Sequence, residues 1–199
     1  TKKIIIVLYS ILSFSLTANY YVKEQKIYYE GYDHKNGKFI NYDDEVKNID
    51  LDSFEQLNPF YARDNNTVYF RGKETDIDRN SIKIIRLNLV KDKNFVYYGD
   101  KKLKVSPKNF LFVNRKVSNE SIPTVHAGSI FYVKDSQNAY HVEVDKDGNI
   151  KETKLDNADV GKLVSWNGIL AKDEKSVYRY GEKIDYIDAV SFNGNGLDY

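Results

Sequence analysis

The sequence predicts a mainly β fold: tandem short β-meander or hairpin repeats with interspersed short helical turns, forming one elongated repeat domain. Three observations predict it. The first is a recurring phrase, Ala62-Arg63-Asp64-Asn65-Asn66-Thr67-Val68-Tyr69, then Val90-Lys91-Asp92-Lys93-Asn94-Phe95-Val96-Tyr97, then Ala171-Lys172-Asp173-Glu174-Lys175-Ser176-Val177-Tyr178. It returns more loosely as Val133-Lys134-Asp135 with Ala139-Tyr140, and in eroded form as Val22-Lys23-Glu24 with Ile27-Tyr28-Tyr29. Such self-similarity marks small supersecondary units that bury their apolar sides only by stacking on neighbours. The second is composition: 17 Tyr and 10 Phe against one Trp and three Pro favour strands. The third is punctuation, with Asp and Asn at one turn of each copy and Gly at the next. A propeller-like closure is the alternative, disfavoured by units that are short and unequally spaced.

The chain opens with Lys2-Lys3, an apolar run over residues 4–16 and Ala18. A positive region, a short apolar core and a small residue make residues 1–18 a secretory signal peptide, with cleavage expected after Ala18. An uncleaved anchor or a buried segment is the alternative. A spanning helix needs about 20 apolar residues, and Ser10, Ser13 and Ser15 interrupt this run. Residues 19–199 then form the repeat domain, about four or five units.

In the clearest copy, residues 60–63 form one strand, Asp64-Asn65-Asn66 the turn, and residues 67–70 the returning strand. Asp and Asn suit the turn because their side chains bond nearby amides and Asn tolerates positive φ. Alternation puts Val68 and Phe70 on one face and Tyr69 on the other. Gly72, Gly99 and Gly181, with Gly31 in the first copy, mark a second tight turn into a third strand. One helical turn is then expected, capped by Asp52 with Glu55 at capping-box spacing, by Asp78, and by Asp188. Pro107 would take the first helical position of another. The long intervals between Asp92, Asp135 and Asp173 place an insertion at 112–165, where specificity is expected. The end, residues 191–199, reads as a link toward a further copy, or Tyr199 as a closing edge.

These phrases resemble the bacterial DKNYY family. Asp92-Lys93-Asn94 with Val96-Tyr97-Tyr98 carries the likeness, as does the stretch Ser53-Phe54-Glu55-Gln56-Leu57-Asn58-Pro59-Phe60-Tyr61-Ala62-Arg63-Asp64. The likeness covers most of 20–199 and is poor across 112–165. It implies an exported repeat protein of unassigned function and supplies no catalytic residues.

Composition excludes several chemistries. Lys+Arg of 30 against Asp+Glu of 29 leaves a net charge of +1, without the basic excess of a nucleic-acid binder. The chain has no Cys, which removes disulfides, thiolate metal sites, cysteine nucleophiles and a lipoprotein anchor. His34, His126 and His141 lack metal-ligand spacing, and no nucleophile elbow or phosphate loop appears. No cofactor, metal site or catalytic residue is therefore expected. Asp145-Lys146-Asp147-Gly148-Asn149 reads as a hairpin turn rather than a calcium loop, and Asp33-His34-Lys35-Asn36-Gly37 likewise.

The leading expectation is a non-enzymatic protein-interaction module, exported to the periplasm, cell surface or medium, with an envelope protein or glycan as partner. The alternative is a carbohydrate-binding or carbohydrate-cleaving envelope protein. Tyr69, Tyr97, Tyr140 and Tyr178 occupy equivalent positions and, if exposed, would form an aromatic ladder for partner or glycan. Packing between units is the competing expectation for them. Trp166 is a further candidate contact.

Overall fold

The computed structural model describes residues 19–35, 38–113, 129–166 and 168–193, as five antiparallel sheets in tandem. The expected signal peptide and its cleavage site, His126, the tip Asn36-Gly37 and the end 194–199 lie outside the described residues. The first sheet is β1 (Asn19–Lys23), β2 (Lys26–Lys35) and β3 (Lys38–Glu45). The second is β4 (Glu55–Gln56), β5 (Tyr61–Arg63), β6 (Val68–Phe70) and β7 (Lys73–Thr75). The third is β8 (Lys83–Ile84), β9 (Leu89–Lys91), β10 (Val96–Tyr98) and β11 (Lys101–Leu103). The fourth is β12 (Leu111–Val113), β13 (Ile130–Lys134), β14 (Ala139–Val144) and β15 (Ile150–Lys154), and the fifth β16 (Val164–Ser165), β17 (Leu170–Lys172), β18 (Val177–Arg179) and β19 (Glu182–Ile184). Every sheet is a meander in chain order, and none closes into a barrel.

Turn chemistry sets the registers. Arg71 and Gly72 both have positive φ (49° and 76°), as a two-residue type I′ turn requires, and they place Phe70 opposite Lys73. Tyr180 and Gly181 repeat this between β18 and β19 (51° and 82°), setting Arg179 opposite Glu182. The turn at residues 145–149 joins β14 to β15, its Asp145 carboxylate accepting from the amides of Asp147 (2.9 Å) and Asn149 (2.8 Å).

The core lies between successive sheets. Tyr20, Ile27, Tyr29 and Val46 pack on Ala62 and Tyr69 at the first junction, and Tyr61 and Val68 pack on Val90 and Tyr97 at the second. Leu89, Val96 and Tyr98 meet Phe131, Tyr140, Val142 and Val144 at the third, while Val113, Tyr132 and Ala139 meet Ala171 and Tyr178 at the fourth. Strand alternation therefore works as expected, yet both faces are buried. Tyr69, Tyr97, Tyr140 and Tyr178 point to the preceding sheet, whereas Tyr29, Tyr61 and Tyr132 on β2, β5 and β13 point to the following one. At the second and third junctions the valine, Val68 or Val96, points to the following one.

Four expectations are corrected. Gly31, expected at a tight turn into a third strand, lies inside β2 and pairs with Tyr42 of β3. No described residue is helical. Where helical turns were expected the chain makes single turns, closed by Ser53 N to Asp50 O (3.3 Å), Ser81 N to Asp78 O (3.2 Å) and Phe192 N to Asp188 O (3.1 Å). One such bond cannot nucleate a helix when the next residues are drawn into a strand. Asp50, not Asp52, caps the first of these turns, accepting from Asp52 N (3.1 Å) and Ser53 Oγ (2.6 Å), while Glu55 in β4 pairs with Arg63. Residues 112–165 are not an appendage: they contain most of the fourth sheet, whose longer strands stack like the others.

Candidate functional site

The most organised chemistry in the molecule is a latch built from the recurring basic–Asp…Tyr phrase. Asp64 closes the β5–β6 turn, Oδ1 accepting from the amides of Asn66 (2.7 Å) and Thr67 (2.8 Å). Its Oδ2 reaches outside the hairpin. It accepts the amide of Asp50, 14 residues earlier in the preceding capped turn, at 2.8 Å, and the Tyr69 hydroxyl at 2.8 Å. Asp92 repeats the set with Asn94 and Phe95 (both 2.7 Å), Asp78 N (2.9 Å) and Tyr97 Oη (3.0 Å). Asp173 repeats it with Lys175 and Ser176 (both 2.8 Å), Asp159 N (2.8 Å) and Tyr178 Oη (3.1 Å).

The fourth sheet carries a reduced version. Asp135 accepts from Gln137 (2.7 Å), Asn138 (2.8 Å) and Ser106 N (3.0 Å), the last lying 29 residues back because residues 114–128 intervene. Tyr140 instead joins the apolar cluster of the third junction. The first sheet has no latch. Glu24 and Gln25, both at positive φ, connect β1 to β2 in two residues.

Burial alone would raise the carboxyl pKa of Asp64, Asp92, Asp135 and Asp173. The converging backbone amides, joined by the tyrosine hydroxyl in three of the four, more than offset it and hold all four below the usual carboxylate range. The same contact works in reverse on the phenols: burial first, then Asp173, pushes Tyr178 up to about 12.

The basic residue before each aspartate takes the following turn. Arg63 Nη1 donates to Arg79 O (3.3 Å), and Lys91 Nζ to Pro107 O (2.9 Å). Lys134 Nζ donates to Val160 O (2.5 Å) and Leu163 O (3.2 Å); Lys172 Nζ to Ala189 O (2.8 Å) and Phe192 O (2.7 Å). The dipeptide thus reads both ways along the chain, the aspartate gripping the amide end of the turn before it and the cation the carbonyl end of the turn after it.

A tyrosine staple reinforces three of the junctions. Tyr20 Oη donates to Phe60 O (3.2 Å) and accepts Gly72 N (3.0 Å); Tyr61 Oη lies 2.7 Å from Gly99 O and 3.1 Å from Asn88 O. Tyr132 Oη donates to Ile169 O (2.9 Å) and accepts Gly181 N (3.1 Å). Glycine is needed where the staple lands, since a Cβ on Gly72 would stand 2.9 Å from Tyr29.

Tyr69, Tyr97, Tyr140 and Tyr178 are all buried. No exposed aromatic ladder exists in this arrangement, because the sheet face that carries these rings is the stacking face. Trp166 is half-buried, its ring edge-to-face with Phe192 (5.3 Å) and 6.0 Å from Lys172 Nζ. Nearby in sequence, Tyr186 is 87% and Val190 82% exposed. Among the described residues no cluster of His, Asp and Glu has metal-holding geometry. No helix of the described residues is long and apolar enough to cross a membrane. The latch cations Arg63, Lys91, Lys134 and Lys172 had no role assigned from sequence, although a basic residue precedes the aspartate in every copy.

The DKNYY family model matches residues 61–196, which spans all four latch aspartates. The chain belongs to the DKNYY family. No curated protein matches it, and no solved structure does. The DKNYY signature residues, Asp with the following Tyr, are therefore the ones whose bonds join one repeat to the next.

Proposed function

We propose that this chain is an exported, non-enzymatic interaction module that binds an envelope protein, with the periplasm, cell surface or medium as its location. One observation carries the reading. The residues that recur from the second unit to the fifth are consumed in latches and in the core between units, so the solvent-facing chemistry is what differs from unit to unit. Such a division suits a scaffold that displays a variable surface. Specificity is assigned to 112–165 and the neighbouring Trp166. Nucleic acid is not the expected partner, since the charge is balanced.

Glycan recognition is the second reading, supported by the half-buried Trp166 beside Phe192, an aromatic pair on which a sugar ring can stack. The repeat tyrosines no longer support it. The test is capture from an envelope extract with the full chain, protein and glycan fractions analysed separately. A protein partner that survives high salt supports the module; glycan fragments lost on Trp166→Ala support the second reading. Retention of neither overturns both.

A further inference from the structure

His141 sits on β14 with its side chain fully buried at the fourth junction, between the fourth and fifth sheets. Its Nε2 lies 3.0 Å from Gly168 O. A carbonyl only accepts, so Nε2 carries the proton and Nδ1 is a bare acceptor. That Nδ1 is buried with no hydrogen-bond partner, and the nearest carboxylate oxygen, Glu143 Oε1, stands 3.7 Å away. Glu143 is already engaged by Lys151 Nζ at 3.0 Å.

The ring is packed by its own sheet and by the sheet that follows. From β13 comes the Tyr132 ring at 4.7 Å, whose hydroxyl staples Ile169 and Gly181. From β15 comes Thr153, directly opposite His141, and Lys151 two residues before it. The fifth sheet contributes the Gly168 carbonyl and the Tyr180 ring, edge-on at 5.9 Å with the Arg179 guanidinium over it. The Gly181 backbone approaches so closely that a Cβ there would stand 2.8 Å from the His141 Cβ.

We propose that His141 makes the fourth junction proton-sensitive, holding the fifth sheet in place as a neutral imidazole and loosening it when Nδ1 takes a proton. The imidazolium would be a cation with only Glu143 to receive it, and Glu143 would have to leave Lys151 to do so. Burial opposes the charged form, with the Gly168 bond and Glu143 countering in part, so the folded-state pKa lies below the usual value. A depressed histidine pKa leaves junction stability intact above the unfolded value of about 6.5 and erodes it as pH falls from there toward the folded pKa. The other junctions contain no such group among the described residues, so the effect is local to the fifth sheet.

The experiment is nitrogen-detected NMR of the histidine rings of the full chain, together with amide exchange along the backbone between pH 8 and 5. A neutral ring with its proton on Nε2 at pH 8 and a midpoint below about 6.5 is expected. Exchange of residues 168–184, corrected for its intrinsic pH dependence, should then rise by up to about tenfold per pH unit, the limit for uptake of one proton. Amides around the Tyr61 staple should stay level. His141→Gln, which keeps a donor for Gly168 but cannot titrate in this range, should abolish the rise, and Glu143→Gln should lower the midpoint further. A proton on Nδ1 at pH 8, a midpoint at or above the usual value, or an unchanged rise in His141→Gln overturns the proposal. Should His141→Gln fail to fold, the wild-type tautomer and midpoint decide it alone.

Discussion

Asp92 illustrates how much one carboxylate does here: one oxygen closes its own hairpin while the other joins Tyr97 to the turn of the unit before. Asp92→Asn would keep the first function and present an NH₂ to the Asp78 amide. A stranded buried donor costs about 1–3 kcal/mol, and a urea midpoint lowered by that cost divided by the m value is the expected result. Tyr97→Phe should cost about 1 kcal/mol, one hydrogen bond to a carboxylate that keeps its amides. Tyr140→Phe is the matched control. Its hydroxyl does not reach Asp135, so the change should lie within about 0.5 kcal/mol. Equal losses in the two phenylalanine variants would remove the Asp–Tyr bond from the account of stability.

At the level of turns and strands, glycine and lysine make separable contributions. A Cβ on Gly99 would meet the Phe70 ring at 2.9 Å in a backbone at φ +61°, whereas Gly148 (φ +77°) has nothing within 4 Å. Both alanine variants incur the left-handed penalty of about 1–2 kcal/mol. Only Gly99→Ala should add an overpacking cost, about 1–3 kcal/mol, measurable as a wider gap in urea midpoints. Lys172 ties the carbonyls of residues 189 and 192, and so holds Phe192 against the only tryptophan. Lys172→Met should red-shift Trp166 emission while leaving the β-sheet circular dichroism unchanged. An unshifted spectrum would show that the turn is held by its other contacts.

Across the whole molecule, stability approximates a sum over units and junctions, and the aspartates give that sum a shared pH dependence. All four latch carboxyls titrate below their ordinary range when folded. Their contribution is fully present above the unfolded carboxyl pKa of about 3.9 and is lost as pH falls through the folded values. Urea midpoints should therefore fall steeply below about pH 4, and more shallowly in Asp92→Asn. The third junction lacks a tyrosine staple, Leu89 standing in β9 where Tyr61 stands in β5. It relies instead on stacked Tyr98, Phe131 and Phe112 with Arg86 over the last.

The strands and hairpin turns were legible because their causes are local. Val-Tyr pairs, Asp two and three residues before the amides it caps, and Gly at positive φ each act within a few positions of themselves. The sequence by itself therefore determined a tandem meander and the place of most hairpins, the turn expected at Gly31 being absent because that glycine lies inside β2. It did not reveal that a second aspartate oxygen reaches back 14 residues, that the cation before it reaches forward to the next turn, or that Asp50 rather than Asp52 caps. Nor did it decide which of two outcomes awaited the repeat tyrosines, a displayed ladder or a buried seam. Those depend on how one sheet lies upon the next, and only stacking turns both faces of the central strands in the second to fifth sheets into core. His141 belongs to the same class: an isolated histidine in a strand carries no signal until the neighbouring unit closes over it.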